Sequence, residues 1–213
     1  MNAELFDWHY THQQVSGLTL DSIGNLVFAT VNAGTSDSKG AEVNIAFRAT
    51  PTTQFDGDVQ YLDSSYTNFV FPAFLPPNPS SACTGSGAFF SPAGGRINCS
   101  GLPLLGASKW TINLGVDQTV PLPNGDRIVA RVSGWYRSGA YFAINYQPVD
   151  YQQGYATGDA SIGYYPASDK WSLELICTNF TNVAAFNYVF TQNVTSVTLV
   201  DPRLIQGRTS WSF

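Results

Sequence analysis

Residues 110–137 read WTINLGVDQTVPLPNGDRIVARVSGWYR, and the parity of this stretch decides the fold. Trp110, Ile112, Leu114 and Val116 alternate with Thr111, Asn113, Gly115 and Asp117. After a break at Pro121 to Gly125 that holds an Asn-Gly pair, Ile128, Ala130 and Val132 alternate with Arg127, Arg131 and Ser133. Period-2 alternation on both sides of an Asn-Gly turn specifies a β-hairpin with one apolar and one polar face.

The same alternation extends over the chain and predicts eight strands, at 3–13, 30–48, 54–64, 108–120, 126–137, 156–165, 170–179 and 197–213. Their connections alternate in length. The expected long ones are 14–29, 65–107, 138–155 and 180–196, and the short ones are Ala49–Thr53, Pro121–Gly125 and Pro166–Asp169. Short turns at one end and long loops at the other is how outer-membrane barrels arrange periplasmic turns and extracellular loops. Sorting by parity puts Phe6, Trp8 and Tyr10, and the alternate residues from Ala41 to Phe47, Phe55 to Tyr61, Trp110 to Val116, Ile128 to Tyr136, Ala160 to Tyr164, Trp171 to Leu175 and Ile205 to Phe213, on an uncharged face. The opposite face takes Asp7, Glu42, Arg48, Asp56, Asp58, Asp117, Arg127, Arg131, Arg137, Asp159, Glu174 and Arg208. A lipid-facing Arg or Lys costs about 2–4 kcal/mol at the bilayer midplane, which enforces such sorting. A soluble β-sandwich also hides one apolar face. Aromatic residues at strand ends and the alternating loop lengths favour the barrel.

Composition agrees with an all-β chain. Charged residues are 12% of the 213, with three Lys and three Glu, while aromatics reach 14%. Residues that fill exposed helix faces are therefore scarce, and the aromatic content excludes a disordered chain. The net charge of −5 and scattered cations give no footprint for a phosphate backbone, so nucleic acid is excluded as a partner. The uncharged stretches 64–95 and 175–200 fail as membrane helices. Pro72, Pro76, Pro77, Pro79 and Pro92 interrupt the first, and Asn179, Asn182, Asn187 and Asn193 the second. MNAELFDWHY lacks the basic–apolar–small order of a secretory leader, so either export needs none or the leader lies elsewhere.

In VNAGTSDSKGAEVNI, DGDVQYLDSSYTNF, SKWTINLGVDQTVPLPNG, KWSLELICTNFTN and the closing DPRLIQGRTSWSF, the chain resembles the carboxy-terminal β-barrel portion of TonB-dependent outer-membrane receptors. The resemblance implies a transmembrane antiparallel barrel segment over 1–213, part of a barrel of about 22 strands. It also implies residence in the bacterial outer membrane, among its lipid. The family's plug, its TonB-contacting box and most of its strands have no counterpart in these residues, so contact with the TonB system is expected only through that plug. Trp211 and Phe213 match the terminal aromatic signal read by the barrel-assembly machinery. Gly207 follows Pro202 and Arg203 later than the family's glycine usually does. The implied ligand is a small molecule: an iron chelate, cobalamin or an oligosaccharide. The resemblance implies a transporter rather than an enzyme, and no cofactor.

Cys83 and Cys99 lie in a Gly-, Pro- and Ser-rich loop that cannot pack a core of its own. A disulfide, which the periplasm and cell surface permit, would stabilise it by about 3 kcal/mol in the chain-entropy picture; the alternative is two loop thiols. Cys177, on the apolar face, is expected as a small hydrophobe. His9 and His12, three apart on a strand, point to opposite faces, so no shared metal site is expected. The carboxylates Asp56, Asp58 and Asp117 are expected as wall rather than as an acid/base set, and the sequons at Asn98, Asn179 and Asn193 carry no assigned role. Loop aromatics Phe69, Phe71, Phe74, Phe89, Phe90, Tyr141, Tyr146, Tyr151 and Tyr155 suit flat organic or sugar ligands, or else fold the loops onto one another. Two other readings remain at this level. A self-contained eight-stranded barrel would be structural or adhesive, with its first strand paired to its last. A secreted sandwich lectin would cover its apolar face with a second layer.

Overall fold

The computed structural model describes residues 1–20, 25–73, 75–91, 94–191 and 195–212. These residues form fourteen strands: β1 (Asn2–Leu20), β2 (Leu26–Thr50), β3 (Thr53–Ala73), β4 (Thr84–Gly87), β5 (Gly95–Asn98), β6 (Trp110–Pro121), β7 (Arg127–Arg137), β8 (Ala140–Tyr141), β9 (Tyr151–Gln152), β10 (Tyr155–Tyr165), β11 (Trp171–Thr178), β12 (Phe186–Thr191), β13 (Thr195–Leu199) and β14 (Leu204–Trp211). Eight of them run in the order β1-β2-β3-β6-β7-β10-β11-β14, each hydrogen-bonded antiparallel to the next in sequence order. This is an up-and-down wall. Among the described residues β1 and β14 do not pair with each other, so the wall is an arc, and the pairing that a self-contained eight-stranded barrel needs is not formed.

The ladders fix which side chains share a face, because directly opposite residues point the same way. Ala41, Val43, Ile45 and Phe47 lie opposite Tyr61, Val59, Gly57 and Phe55, and these in turn face Trp110, Ile112, Leu114 and Val116. The set continues through Tyr136, Val132, Ala160, Ile162, Tyr164, Leu175 and Leu173 to Gly207 and Thr209. No second layer among the described residues covers it: Leu114 is 60% exposed, Phe47 57%, Leu175 54% and Ile162 50%. A contiguous apolar face of this extent marks contact with lipid or with another protein. The covered face that a sandwich lectin requires is absent among the described residues.

Aromatic pairs border the apolar band on both sides. Phe47–Phe55 and Tyr164–Trp171 stand at the short-turn end, and Tyr61–Trp110 at the loop end. One step beyond Tyr61, charges appear on the same outward face: Lys39 lies 3.5 Å from Asp7, and Lys109 lies 3.4 Å from Asp63. From Thr53 to Asp63 β3 travels about 34 Å at 3.4 Å per residue. At the tilt of about 40° usual in outer-membrane barrels that length would span about 26 Å along the barrel axis, the height of the apolar band of such barrels.

Three expectations are corrected. The first concerns β1, whose face is inverted: Phe6, Trp8 and Tyr10 pair with Gly40, Ser38 and Ser36, on the inward face with Glu42 and Asp58. Ala3, Leu5 and Asp7 point outward instead. The parity reading followed the larger aromatic stripe. It took Asp7 as an inward charge, although Asp7 sits above the band where water and Lys39 satisfy it. The second concerns the expected loop 14–29, most of which is strand. β1 and β2 continue their ladder to Leu20 and Leu26. The third concerns the expected strand 197–213, which is two strands. β13 pairs with β12 in a loop hairpin, and β14 returns to the wall after Pro202, which has no N–H for a ladder. Phe213, Phe74, Pro92 and Asn193 lie outside the described residues.

Candidate functional site

The inward face and the loops above it form the region where a ligand would meet this chain. Along the wall the inward residues are ionic and mutually satisfied. Arg131, on β7, donates to both carboxylate oxygens of Asp56 on β3, at 3.0 and 3.1 Å, and also to Asp117 on β6. One guanidinium fork thus fastens three neighbouring strands. Gly115 is what makes room for it, since a Cβ there would sit 2.6 Å from an Arg131 nitrogen and 2.7 Å from an Asp56 oxygen. Further along, Arg208 pairs with Glu174, which also accepts the Tyr165 hydroxyl at 2.8 Å. Asn44 donates to Asp58 at 2.8 Å. Asp56, Asp58, Arg131, Trp135, Thr157 and Asp159 line a recess of about 290 Å³.

Asp56, Asp58 and Asp117 therefore share one surface. Two of the three are held by Arg131 and the third by an asparagine amide. Such bonding fixes side chains rather than readying a proton acceptor. His9 lies on the outward side, 2.5 Å from Asp37. His12 sits with φ 57° where the β1–β2 register slips between Tyr10 and Gln13. Cys177 lies opposite Ala160 and Ile205 on the outward face.

Above the wall the loops have a core of their own. Tyr66, Phe69, Phe71, Ala73, Cys83, Cys99 and Tyr146 are buried together, with Phe89, Ile97, Leu102, Leu104, Leu105 and Tyr141 packed around them. Cys83 and Cys99 are bonded to each other, 16 residues apart in sequence. Burial pushes the Tyr146 hydroxyl far above the ordinary phenol value, so it acts as a neutral donor, to the Pro103 carbonyl at 2.6 Å. Of the loop aromatics, Phe69, Phe71 and Tyr146 thus fold the loops together. Phe90 is 67% exposed, and Tyr155 packs edge-on against Trp135 at 5.6 Å. The feature missed from sequence is the inward strip on β1. There the Phe6 and Trp8 rings stack at 4.5 Å and Tyr10 meets Trp8 edge-on. Gly40 allows the strip, because a Cβ there would overlap the Phe6 ring. The signal available was the Lys39–Asp7 pairing, which places Asp7 outward once β2 is in register.

At the turn end, Asp126 ties two turns together. It accepts from the Tyr164 hydroxyl, from the Ala167 N–H at 2.8 Å and from Asn124 at 2.6 Å. These bonds, Tyr164's first among them, hold its carboxyl below the ordinary value.

Comparison with known proteins gives the architecture a context. The model of the family described as TonB dependent receptor-like, beta-barrel matches residues 1–180. No curated protein matches the chain. Among solved structures, the ferric yersiniabactin uptake receptor FyuA from Yersinia pestis aligns with a TM-score of 0.70 and 17% identity, over 97% of this chain and 26% of its own. The siderophore receptor PiuA from Acinetobacter baumannii aligns at 0.65 and 17%, over 98% and 26%. The ferric-catecholate import receptor Fiu from Escherichia coli K12 aligns at 0.63 and 14%, over 99% and 25%. The chain spans about a quarter of the length of these receptors; at such identities the likeness is one of fold.

Proposed function

Because the chain belongs to the TonB-dependent receptor-like β-barrel family, we propose that it forms part of the wall and extracellular loops of an outer-membrane receptor that takes up a ferric siderophore or a similar small nutrient. One observation carries this reading. An eight-strand wall leaves its apolar face bare over the height of a bilayer core while its charges pair on the other side. In this reading the outward side chains contact outer-membrane lipid, and the turns on Asp126 face the periplasm. The stapled loops form part of the mouth through which ligand enters.

The wall's own task is positional. Arg131 and its two carboxylates hold three strands at fixed spacing, so that a ligand meets a preformed surface and loses less ordering entropy on binding. In this reading these 213 residues belong to the carboxy-terminal part of the receptor, and energised release belongs to a plug and the TonB complex acting on it. Trp211, outward opposite Trp171, together with Phe213, serves as the signal for the barrel-assembly machinery.

The test is a binding titration of the protein in detergent with ferric catecholate, hydroxamate and phenolate chelates, followed by tryptophan fluorescence. Saturable quenching by one class at micromolar concentration or below supports the siderophore reading. Absence of binding by all three, with binding of cobalamin or an oligosaccharide instead, overturns it while leaving the receptor architecture standing.

A further inference from the structure

We infer that the Cys83–Cys99 bond is a clasp on a second loop, so that the described residues of 75–91 and 94–107 form one cooperative unit with segment 138–154. The disulfide holds together the chain entering Cys83 and the chain leaving Cys99, and these two arms carry the contacts to the neighbouring loop. On the Cys83 arm, the Ala82 N–H donates to the Tyr146 carbonyl at 3.1 Å, and the Ser81 hydroxyl donates to the Asn145 carbonyl. On the Cys99 arm, Pro103 accepts the Tyr146 hydroxyl at 2.6 Å, and the Gly106 N–H donates to the Tyr141 carbonyl at 2.7 Å. Between the arms, the Ile144 carbonyl oxygen lies 3.8 Å from one sulfur and 3.9 Å from the other. Residues 141–146 thus run beside the disulfide, held between the chain entering Cys83 and the chain leaving Cys99.

Tyr146 is 1% exposed and belongs to the same buried cluster as both cysteines, so segment 141–146 supplies part of the core that the stapled loop needs. Neither loop can leave alone. Withdrawing 141–146 uncovers Phe69 and the disulfide, and parting the arms strips 141–146 of partners on one side. The unit is also tied to the wall, because Arg137 at the end of β7 donates to the Ser108 hydroxyl at 3.0 Å and to the Gly106 carbonyl at 2.5 Å. The next loop joins through Phe142, whose ring meets Phe186 at 6.4 Å, and through the Phe186 N–H, which donates to Gln152 at 2.9 Å.

The experiment compares amide hydrogen exchange in the folded wild-type chain and in C83S/C99S. Exchange at 141–146 is expected to accelerate at least about tenfold together with exchange at 81–106, while the hairpin 110–137 keeps its rate. Acceleration of 81–106 alone, or of neither segment, overturns the inference. Should the double variant fail to fold, Y146F supplies the test with the disulfide intact. Loss of its hydroxyl bond is expected to speed 103–106 and 141–146 together, and a rise confined to 141–146, or no rise, overturns the clasp.

Discussion

Asn113 and Leu114 are adjacent, yet the wall sends them to opposite solvents. Leu114 lies outward between Gly57 and Gly134, four residues from Trp110. That separation is about 14 Å along the strand, or about 10 Å along the membrane normal at the usual tilt, which puts Leu114 near the middle of a band about 25 Å tall. Leu114→Arg is therefore expected to cost about 2–4 kcal/mol, a loss of roughly 30- to 900-fold in the folded-to-unfolded ratio. Asn113→Arg places the same side chain in the inward recess beside Asp58 and Asp159 and is expected to change stability by less than about 1 kcal/mol. Val120→Arg, outward but at the turn end of β6, is expected to cost about 0–1 kcal/mol. The assay is reversible denaturant unfolding of the three variants in phospholipid vesicles. Equal costs for Leu114→Arg and Val120→Arg, or a cost below about 1 kcal/mol for Leu114→Arg, would show that water or protein rather than lipid meets this face, and the reasoning would fail.

Other expectations follow from single sites. Gly115→Ala drives a methyl group into the Arg131–Asp56 bridge and is expected to destabilise by about 1–3 kcal/mol, read in the same unfolding assay; an unchanged midpoint would mean that the fork is not held as described. Phe69, fully buried in the loop core, is expected to lose about 3–5 kcal/mol on truncation to Ala. The loss should appear as faster proteolysis of the loops and not of the strands below. Asp126 has a folded-state pKa below its unfolded value of 3.8, so its contribution is complete above that value and is lost as pH falls through the folded one. Asp126→Asn should accordingly flatten the acid limb of the stability–pH curve, and parallel limbs for the two proteins would refute the role.

Much of the wall was legible in the sequence because its charges are kept to one side. From β2 to β14 the parity of Ile45, Leu114, Val132, Ile162 and Leu173 assigned the correct face, since every charge on those strands within the band stands opposite. β1 escaped the rule. Its outward residues within the band are only Ala3 and Leu5, and the heavier Phe6–Trp8–Tyr10 stripe outweighs them although it faces inward. Nothing local distinguishes an outward aromatic from an inward one packed over Gly40; the ladder to β2 decides. The loops were less legible still. Pairing of β12 with β13, and the seat of Tyr146 among cysteines more than 40 residues away, depend on contacts between segments whose own composition sets no period. Pro202 was the readable mark that the last predicted strand had to break.

The bare rims at β1 and β14 carry a practical consequence. Hydrocarbon provides no donors or acceptors for main-chain amides, so a polypeptide of these residues placed alone in lipid must find edge mates or leave the bilayer. Mixing it with a separately made polypeptide that supplies complementary ribbons should rescue insertion in a stoichiometric way, as two halves of a split ring do. Supplied with none, it should stack with its own kind into sheets whose growth rises with protein-to-lipid ratio.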